Sequence, residues 1–398
     1  MRVSLEPIRD LCARLGSPER AFRAVHVAGS KGKGSTCALV EGALRAAGVR
    51  TALYTSPHLE RVEERLTLGG VEVADDALAA ALERALDACE AAGAAASAAR
   101  EATWFDVFTA AAFVAMAEAR VEWAVVECGL GGRLDSTNVV HAPLVAVTNI
   151  YLEHTAVLGP TRVAIAAEKA GIVKPGTTAV VGALAPEDEA AALVERVARE
   201  RGARSVRVEH APEDPVELRN LRLARVVLAE LARAEPELAA RAGDFRLDPF
   251  RLDHGAGARV ALPGRGERRA LGGTRVVLDG AHVPESLELV LRDLARDPEL
   301  TVPPVVVLGM GLEKNAEGLL KALVGCADRV LCSSVGEGPY RDAAELAAMA
   351  RELGLDARAV PDPAAALDEA VRIAGTSGWV LVTGSLHLVG ALRRFTRS

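Results

Sequence analysis

The stretch His26–Thr36, HVAGSKGKGST, decides the fold of this chain. The apolar run Ala24–Ala28 enters it as a strand, and an Ala/Leu-rich helical pattern, Cys37–Ala47, leaves it. Strand, glycine loop and helix in that order build a phosphate cradle. Glycines let backbone N–H groups approach a phosphate, and the helix N-terminus favours negative charge. Lys33 can reach terminal phosphates, and a hydroxyl from Ser35 or Thr36 can hold Mg²⁺. The spacing departs from G-x-x-x-x-G-K-[ST]: the first glycine falls on Val27, and Gly34 separates Lys33 from Ser35. On the loop alone, a glycine-rich turn that binds nothing stays open.

The rest of the composition narrows the class. Of 398 residues, 50% are hydrophobic and 25% charged, the balance of a globular enzyme of two or three domains. A net charge of −7 argues against a nucleic-acid partner. No apolar run is long enough to span a bilayer, and MRVSLEPIRD has no signal-peptide core. A cytoplasmic protein with no membrane partner is expected. The six cysteines form no C-x-x-C pair, so reduced thiols are expected rather than zinc ligands.

The basic residues are overwhelmingly Arg. Lys occurs only at 31, 33, 169, 174, 314 and 321, and Gln is absent. Lys31 and Lys33 share one segment, and Lys169 and Lys174 share another. Either amine chemistry retains them there, since an amine can be deprotonated and modified where a guanidinium cannot, or they are chance survivors.

Strands and helices alternate along the chain, which predicts parallel α/β sheets. Early strands are predicted at Arg23–Ala28, Thr51–Thr55, Trp123–Cys128, Pro143–Ile150 and Thr177–Gly182, with a hairpin over Arg65–Ala74. The Gly/Arg-rich stretch Asp253–Gly273 breaks the periodicity and marks a boundary. A second, smaller α/β unit with strands near Arg275–Leu278, Pro304–Leu308, Arg329–Ser333, Ala357–Val360 and Trp379–Val382 resembles a doubly wound, Rossmann-like domain.

Each early strand delivers polar residues at its carboxyl end, where open α/β sheets bind ligands. Ser56 and His58 follow one strand. Glu127, Arg133, Asp135 and Asn138 follow another, in ECGLGGRLDSTN. Glu153, His154 and Thr155 follow a third, and Glu168, Lys169 and Lys174 lie in EKAGIVKPG. If the strands are neighbours, all of these converge on the glycine loop. Glu127 reads as a carboxylate for Mg²⁺ or as the cap of the turn after it. His154 reads as a ligand or as a satisfied histidine, and Asp135 as a site residue or a turn residue. Trp104 and Phe105 read as core or as a substrate-stacking pair. In the second unit, DGAHVP places Asp279 and His282 on a strand-to-helix turn. Arg265, in LPGRGE, reads as a solvated charge or as a phosphate contact reached on domain closure.

Taken in order, HVAGSKGKGST, YTSPHL, WFDVFT, ECGLGGRLDSTN, EHTAVLGPTR, EKAGIVKPG, DGAHVP and TGSLHLVG resemble the successive motifs of the folylpolyglutamate synthase/dihydrofolate synthase family of the Mur ligase superfamily. The resemblance implies a P-loop-type ATPase domain with a mostly parallel sheet over 1–267 and a Mur ligase-type glutamate ligase domain over 268–398. It implies ATP-dependent ligation of L-glutamate to dihydropteroate, to a reduced folate, or to both, through an acyl phosphate. It implies ATP and Mg²⁺, and a monomer. By residue, it implies that Lys31, Gly32, Lys33, Gly34 and Ser35 cradle ATP, with Asn220, Arg265 and Asp279 contacting it. Ser35, Ser56, Glu127 and His154 would hold Mg²⁺, with Lys169 carbamylated beside them. Lys33, Glu127, His154 and Lys169 would form the catalytic set. Thr103, Trp104, Phe105, Asp106, Leu134, Asp135, Ser136 and His282 would border the substrates. The chain departs from the family pattern at Lys31, Glu153 and Val283, and lacks the His-Gln pair usual before Asn220. A Mur-type peptidoglycan ligase and a nucleotide-binding module without catalysis remain as alternatives.

Overall fold

The computed structural model describes residues 4–211, 213–242, 262–336 and 338–396, and strand counts refer to these. The chain divides into two compact units, Met1–Val260 and Ala261–Ser398. The expected boundary at 267/268 moves accordingly. Glu267 opens a strand of the second unit, Glu267–Leu271, and pairs with Leu278, so a cut there would split a hairpin.

In the first unit, α1 (Glu6–Arg14) precedes β1 (Arg23–Ala28), α2 (Lys33–Ala46) and β2 (Thr51–Tyr54). The hairpin β3 (Leu66–Leu68) and β4 (Val71–Glu72) leads to α3 (Asp75–Ala94), α4 (Trp104–Glu118) and β5 (Trp123–Glu127). Then come β6 (Leu144–Val147), α5 (Thr155–Leu158), α6 (Arg162–Lys169), β7 (Thr178–Ala183), α7 (Glu189–Glu200), β8 (Arg204–Glu209), α8 (Val216–Ala234) and α9 (Pro236–Ala242). The eight strands form one sheet in the order β4-β3-β2-β5-β1-β6-β7-β8. It is parallel except for β3 and β4.

Burial explains the central strands. Every residue of β2, β5 and β6 is buried, as for parallel strands covered on both faces by helices. α4 is buried through Phe108–Met116, so its apolar residues run all round rather than along one stripe. A Thr103/Asp106 capping box starts it. β8 is a sheet edge, and its polar run RSVRVE, with Val208 alone buried, hid it from the periodicity. The strand expected over Pro143–Ile150 is shorter, ending at Val147, and just past it the side chains of Thr148 and Asn149 hold the glycine loop.

β1 lies between β5 and β6, and the chain moves from β1 to one side through β2 and later to the other through β6. The crevice at the carboxyl end of β1 is therefore a topological switch point.

In the second unit, β9 (Glu267–Leu271) and β10 (Thr274–Leu278) precede α10 (Pro284–Leu294), β11 (Val305–Leu308), α11 (Ala316–Leu323) and β12 (Arg329–Cys332). α12 (Ala343–Glu352), β13 (Ala357–Ala359), α13 (Pro363–Ala374), β14 (Trp379–Thr383) and α14 (Leu386–Arg393) follow. The sheet order is β13-β12-β11-β14-β10-β9, with only β9 antiparallel. Together the units give the two-domain α/β architecture expected from the sequence. No described helix is long and apolar enough to cross a membrane.

Candidate active site

The glycine loop leaves β1 at Gly29 and turns into α2 at Gly32. Two glycines are required by neighbours as well as by backbone. Gly32 has φ +78°, and a Cβ there would stand 2.0 Å from Asn220 Oδ1. Gly29 has φ +144°, and its Cβ would stand 1.9 Å from Thr148 Oγ1. The loop is held from β6: Thr148 Oγ1 and Asn149 Nδ2 donate to the Lys31 carbonyl at 2.6 and 2.9 Å. The Lys31 N–H donates to Asn149 Oδ1 at 2.9 Å. The loop is fixed by side chains from outside, which leaves the first N–H groups of α2 at the crevice, the arrangement that receives an anion. Asn220, on α8, is buried against this loop, so the structure brings it to the cradle.

Charged side chains surround the loop. Lys33 Nζ donates to the Ser30 carbonyl at 3.5 Å and stands 3.8 Å from Glu127 Oε1. Glu127 is buried at the end of β5, and its Oε2 accepts from the Ser56 N–H at 3.1 Å. Lys169, 2% exposed, donates from Nζ to the Gly29 carbonyl at 2.8 Å and to Glu153 Oε1 at 3.1 Å. Lys31 Nζ approaches the other Glu153 oxygen at 4.0 Å. Burial lowers the Lys169 amine from its usual range, partly opposed by the Glu153 charge. Burial works against ionised Glu153, but the charges of Lys169, Lys33 and Lys31 outweigh it and bring the carboxyl down to about 2.

Among the described residues, no three His, Cys, Asp or Glu side chains form a ready-made metal cage. The donors present are of another kind: the Glu127 carboxylate beside the Ser56 backbone, and the hydroxyls of Ser35 and Thr36 in the first turn of α2. Thr36 Oγ1 is buried without a hydrogen-bond partner among the described residues. Few hard oxygen donors, completed by phosphate and water, suit Mg²⁺. His154 is exposed, with φ 48°, directly after buried Glu153.

A second cluster flanks the loop on the β5–α4 side. Asp106 Oδ1 accepts from Ser136 Oγ at 2.6 Å, and its Oδ2 accepts from Thr103 Oγ1 at 2.8 Å. Asp135 accepts from the Leu130 N–H at 2.8 Å and from Thr137 Oγ1. Burial pushes its carboxyl up. Phe105 lies over Gly129, with Cζ 2.7 Å from where a Cβ would be, and Leu134 packs onto the same core. Trp104 is 57% exposed, which removes it from the core. It stacks on Phe108 with centroids 5.4 Å apart. The Arg65 guanidinium covers the Trp104 ring at 4.9 Å and donates from Nε to His58 Nδ1 at 2.9 Å. Arg65 is buried and has no carboxylate in salt-bridge reach among the described residues.

Convergence on the loop fails for Lys174, for Asn138, which lines a cavity at the amino ends of the strands instead, and for Glu168 and Arg133. Lys174 lies at the amino end of β7, on the edge of the sheet away from the loop, and donates to the carbonyls of Asn138 and Val140 at 2.9 and 2.7 Å. Glu168 and Arg133 bind each other at 2.9 Å and leave the cradle alone. One residue, Arg65, and one pairing, that of Glu153, lie beyond the sequence reading. Glu153 was named at its strand end but not as the partner of Lys169, and Arg65 hid in a hairpin whose Gly69-Gly70 turn drew the reading.

In the second unit, Asp279 accepts from the Gly266 and Ala281 N–H groups, each at 2.8 Å. It thereby ties the segment carrying Arg265 to the strand-to-helix turn. His282 Nδ1 meets the Gly280 carbonyl at 2.8 Å. A Cβ on Gly280 would strike Leu386 at 2.2 Å and lie 3.2 Å from Arg265, so Arg265, Asp279 and His282 gather at the end of β10.

Comparison with known proteins matches this layout. Residues 264–386 match the family model of the Mur ligase glutamate ligase domain. The dihydrofolate synthase/folylpolyglutamate synthase of Escherichia coli K12 is 33% identical over 399 residues, covering 97% of this chain and 90% of the relative. The solved structure of E. coli FolC in complex with DHPP and ADP superposes with TM-score 0.82 and 28% identity, covering 99% of this chain and 93% of that one. The bifunctional folylpolyglutamate synthase/dihydrofolate synthase with Mn, AMPPNP and L-glutamate bound gives 0.81 and 29%, covering 99% and 94%.

Proposed function

The chain belongs to the dihydrofolate synthase/folylpolyglutamate synthase family of ATP-dependent ligases, and from that premise we propose that it joins L-glutamate to both dihydropteroate and a reduced folate. The acceptor carboxylate attacks the γ-phosphorus of ATP, and ADP leaves. The glutamate amine then attacks the acyl phosphate carbon, loses its proton, and inorganic phosphate departs. Three chemical demands follow: anion binding, charge neutralisation at the transferring group, and exclusion of water.

The observation that carries this reading is the Gly29–Lys33 cradle, ringed by Lys33, Glu127, Glu153 and Lys169. Lys33 and the α2 N–H groups hold the phosphates. Lys31 and Asn220 flank them, and Gly34 and Ser35 complete the cradle. Mg²⁺, held by Ser35, Ser56, Glu127 and His154, would neutralise the transferring phosphoryl group. Lys169 in our reading is carbamylated in the active enzyme; Glu153 and the Gly29 carbonyl fix its Nζ at the loop in the unmodified form. Trp104 and Phe105 offer the acceptor an aromatic face, bordered by Thr103, Asp106, Leu134, Asp135 and Ser136. Arg65 offers a buried cation for a carboxylate. The roles of Arg265 and Asp279 towards ATP, and of His282 towards substrate, rest on the motif. We take the protein to work in the cytoplasm as a monomer.

ADP release tests the proposal, with dihydropteroate or tetrahydrofolate as acceptor and with and without L-glutamate. Glutamate-dependent release with both acceptors is expected. Release with one alone reduces the protein to the corresponding single activity. Nucleotide binding without glutamate-dependent release would leave only a binding module.

A further inference from the structure

Every residue assigned above in the first unit serves the carboxyl ends of its strands or the crevice beside them. A cavity of about 990 Å³ opens at the opposite, amino ends, and nothing in the proposed reaction uses it. Its walls come from α1, the starts of β1 and β5, the segment before β6, Lys174 before β7, and α9.

Most of its charges are already matched. Arg23 pairs with Glu235, Arg241 with Glu122 at 2.8 Å, and Arg20 with Glu19 at 3.4 Å. Arg9 and Lys174 have no carboxylate partner among the described residues. Lys174 reaches only two carbonyls. Its amine is lowered by burial and then by the positive charge of Arg9, so two cations repel each other at this cavity. One carboxylate of the lining, Glu237 on α9, also forms no ion pair among the described residues. Phe22 and Leu238 supply apolar wall. Two cations against one unpaired carboxylate, beside an apolar wall in one concavity, describe a site for a small organic anion.

We propose that this cavity binds a small organic anion, a carboxylate on an apolar body, with the carboxylate between Arg9 and Lys174 and the body against Phe22 and Leu238. The inference does not depend on the ligase reading, because no residue of the reaction lines the cavity.

Calorimetric titration of the full chain with benzoate tests it, with acetate and inorganic phosphate as controls. Saturable binding of benzoate is expected, weakened roughly tenfold or more by Arg9→Glu and by Lys174→Met, the loss typical of a charged hydrogen-bond partner. Arg372→Ala, exposed on the second unit, should leave benzoate binding unchanged, whereas loss in Arg65→Ala alone would place benzoate at the aromatic face instead. Acetate should bind at least about tenfold more weakly than benzoate, since it lacks the buried carbons. Arg9 is exposed on α1, so its replacement decides the matter even if Lys174→Met fails to fold. The proposal is overturned by absence of saturable benzoate binding, by affinity unchanged in Arg9→Glu, or by loss in Arg65→Ala alone. Acetate or phosphate binding as tightly as benzoate would likewise overturn it, by showing a plain anion spot.

Discussion

Lys169 and Lys174 share one short segment, EKAGIVKPG, yet they serve opposite edges of the same sheet. Lys169 ends α6, and side chains on a helix tilt back towards its N-terminus, so its amine is carried up to Gly29 beneath the glycine loop. Lys174 lies past that helix, where the chain turns into β7, and stays at the amino edge. Burial depresses both amines. Their partners differ: Lys169 has a carboxylate, Glu153, whereas Lys174 has two carbonyls and a neighbouring Arg9. Retention of lysine in an Arg-rich chain therefore has two physical meanings here. One amine is poised among ions at a phosphate loop. The other stitches the turns before β6 and β7.

The largest effect should come from the cradle itself. Lys33→Ala should lower kcat by about a hundredfold to a thousandfold or more, the loss seen when one fixed donor to developing charge is removed. Thermal unfolding should barely change, because Lys33 makes one long contact to Ser30 and stands 3.8 Å from Glu127. Wild-type turnover by the folded variant would move the chemistry away from this edge.

Lys169 sharpens the contrast next. Lys169→Ala should cost about a hundredfold or more in kcat, with formate or acetate restoring part of it if a carbamate oxygen is what is missing. Lys169→Arg should also fail, because a guanidinium neither takes the carbamate nor fits the amine's place between Gly29 and Glu153. An active Arg variant would reduce Lys169 to a buried counter-charge and dissolve the difference from Lys174.

The strand ends were legible in advance because each one breaks an apolar run with polar residues, as in Val126-Glu127-Cys128 and Ile150 to His154. Sheet order was not written there: convergence needed β1 to lie between β5 and β6. Edges were also hidden. β8, RSVRVE, holds two Arg, a Ser and a Glu among six residues and reads as a solvated run. Lys174 was misplaced because a motif gives spacing along the chain, and a helix followed by a turn carries neighbours to opposite ends of a sheet. Arg65, and the role of Glu153, emerge only from asking which buried cation lacks an anion and which anion has three cations, a question that needs coordinates.

Glu153 sets the charge state that separates the two lysines. Glu153→Gln leaves the Lys169 amine buried without its carboxylate and should destabilise the first unit by about 3 kcal/mol at neutral pH. The pH dependence has a definite sign. The folded carboxyl sits at about 2 against an ordinary 4.5, so its contribution is complete above 4.5 and is lost as pH falls through about 2. Denaturant unfolding of the two proteins at several pH values should show their difference shrinking between 4.5 and 2. A constant gap would mean that Glu153 acts through packing rather than charge.

The smallest effect should come from Lys174→Met. The methionine keeps most of the apolar stem but removes the donor to the Asn138 and Val140 carbonyls. Two carbonyls losing a charged donor cost about 1–3 kcal/mol, and relief from Arg9 returns part of that. Stability should therefore fall by about 1–2 kcal/mol, read from the denaturant midpoint at constant slope. Placing the same change beside Arg9→Ala isolates the repulsion: Arg9→Ala alone should raise stability slightly, and the double variant should lose more than the single effects sum to, because one repulsion can be relieved only once. A gain from Lys174→Met would show that repulsion outweighs the two carbonyl bonds, and that the amino edge is under greater electrostatic strain than the carboxyl edge, where Glu153 answers its lysines.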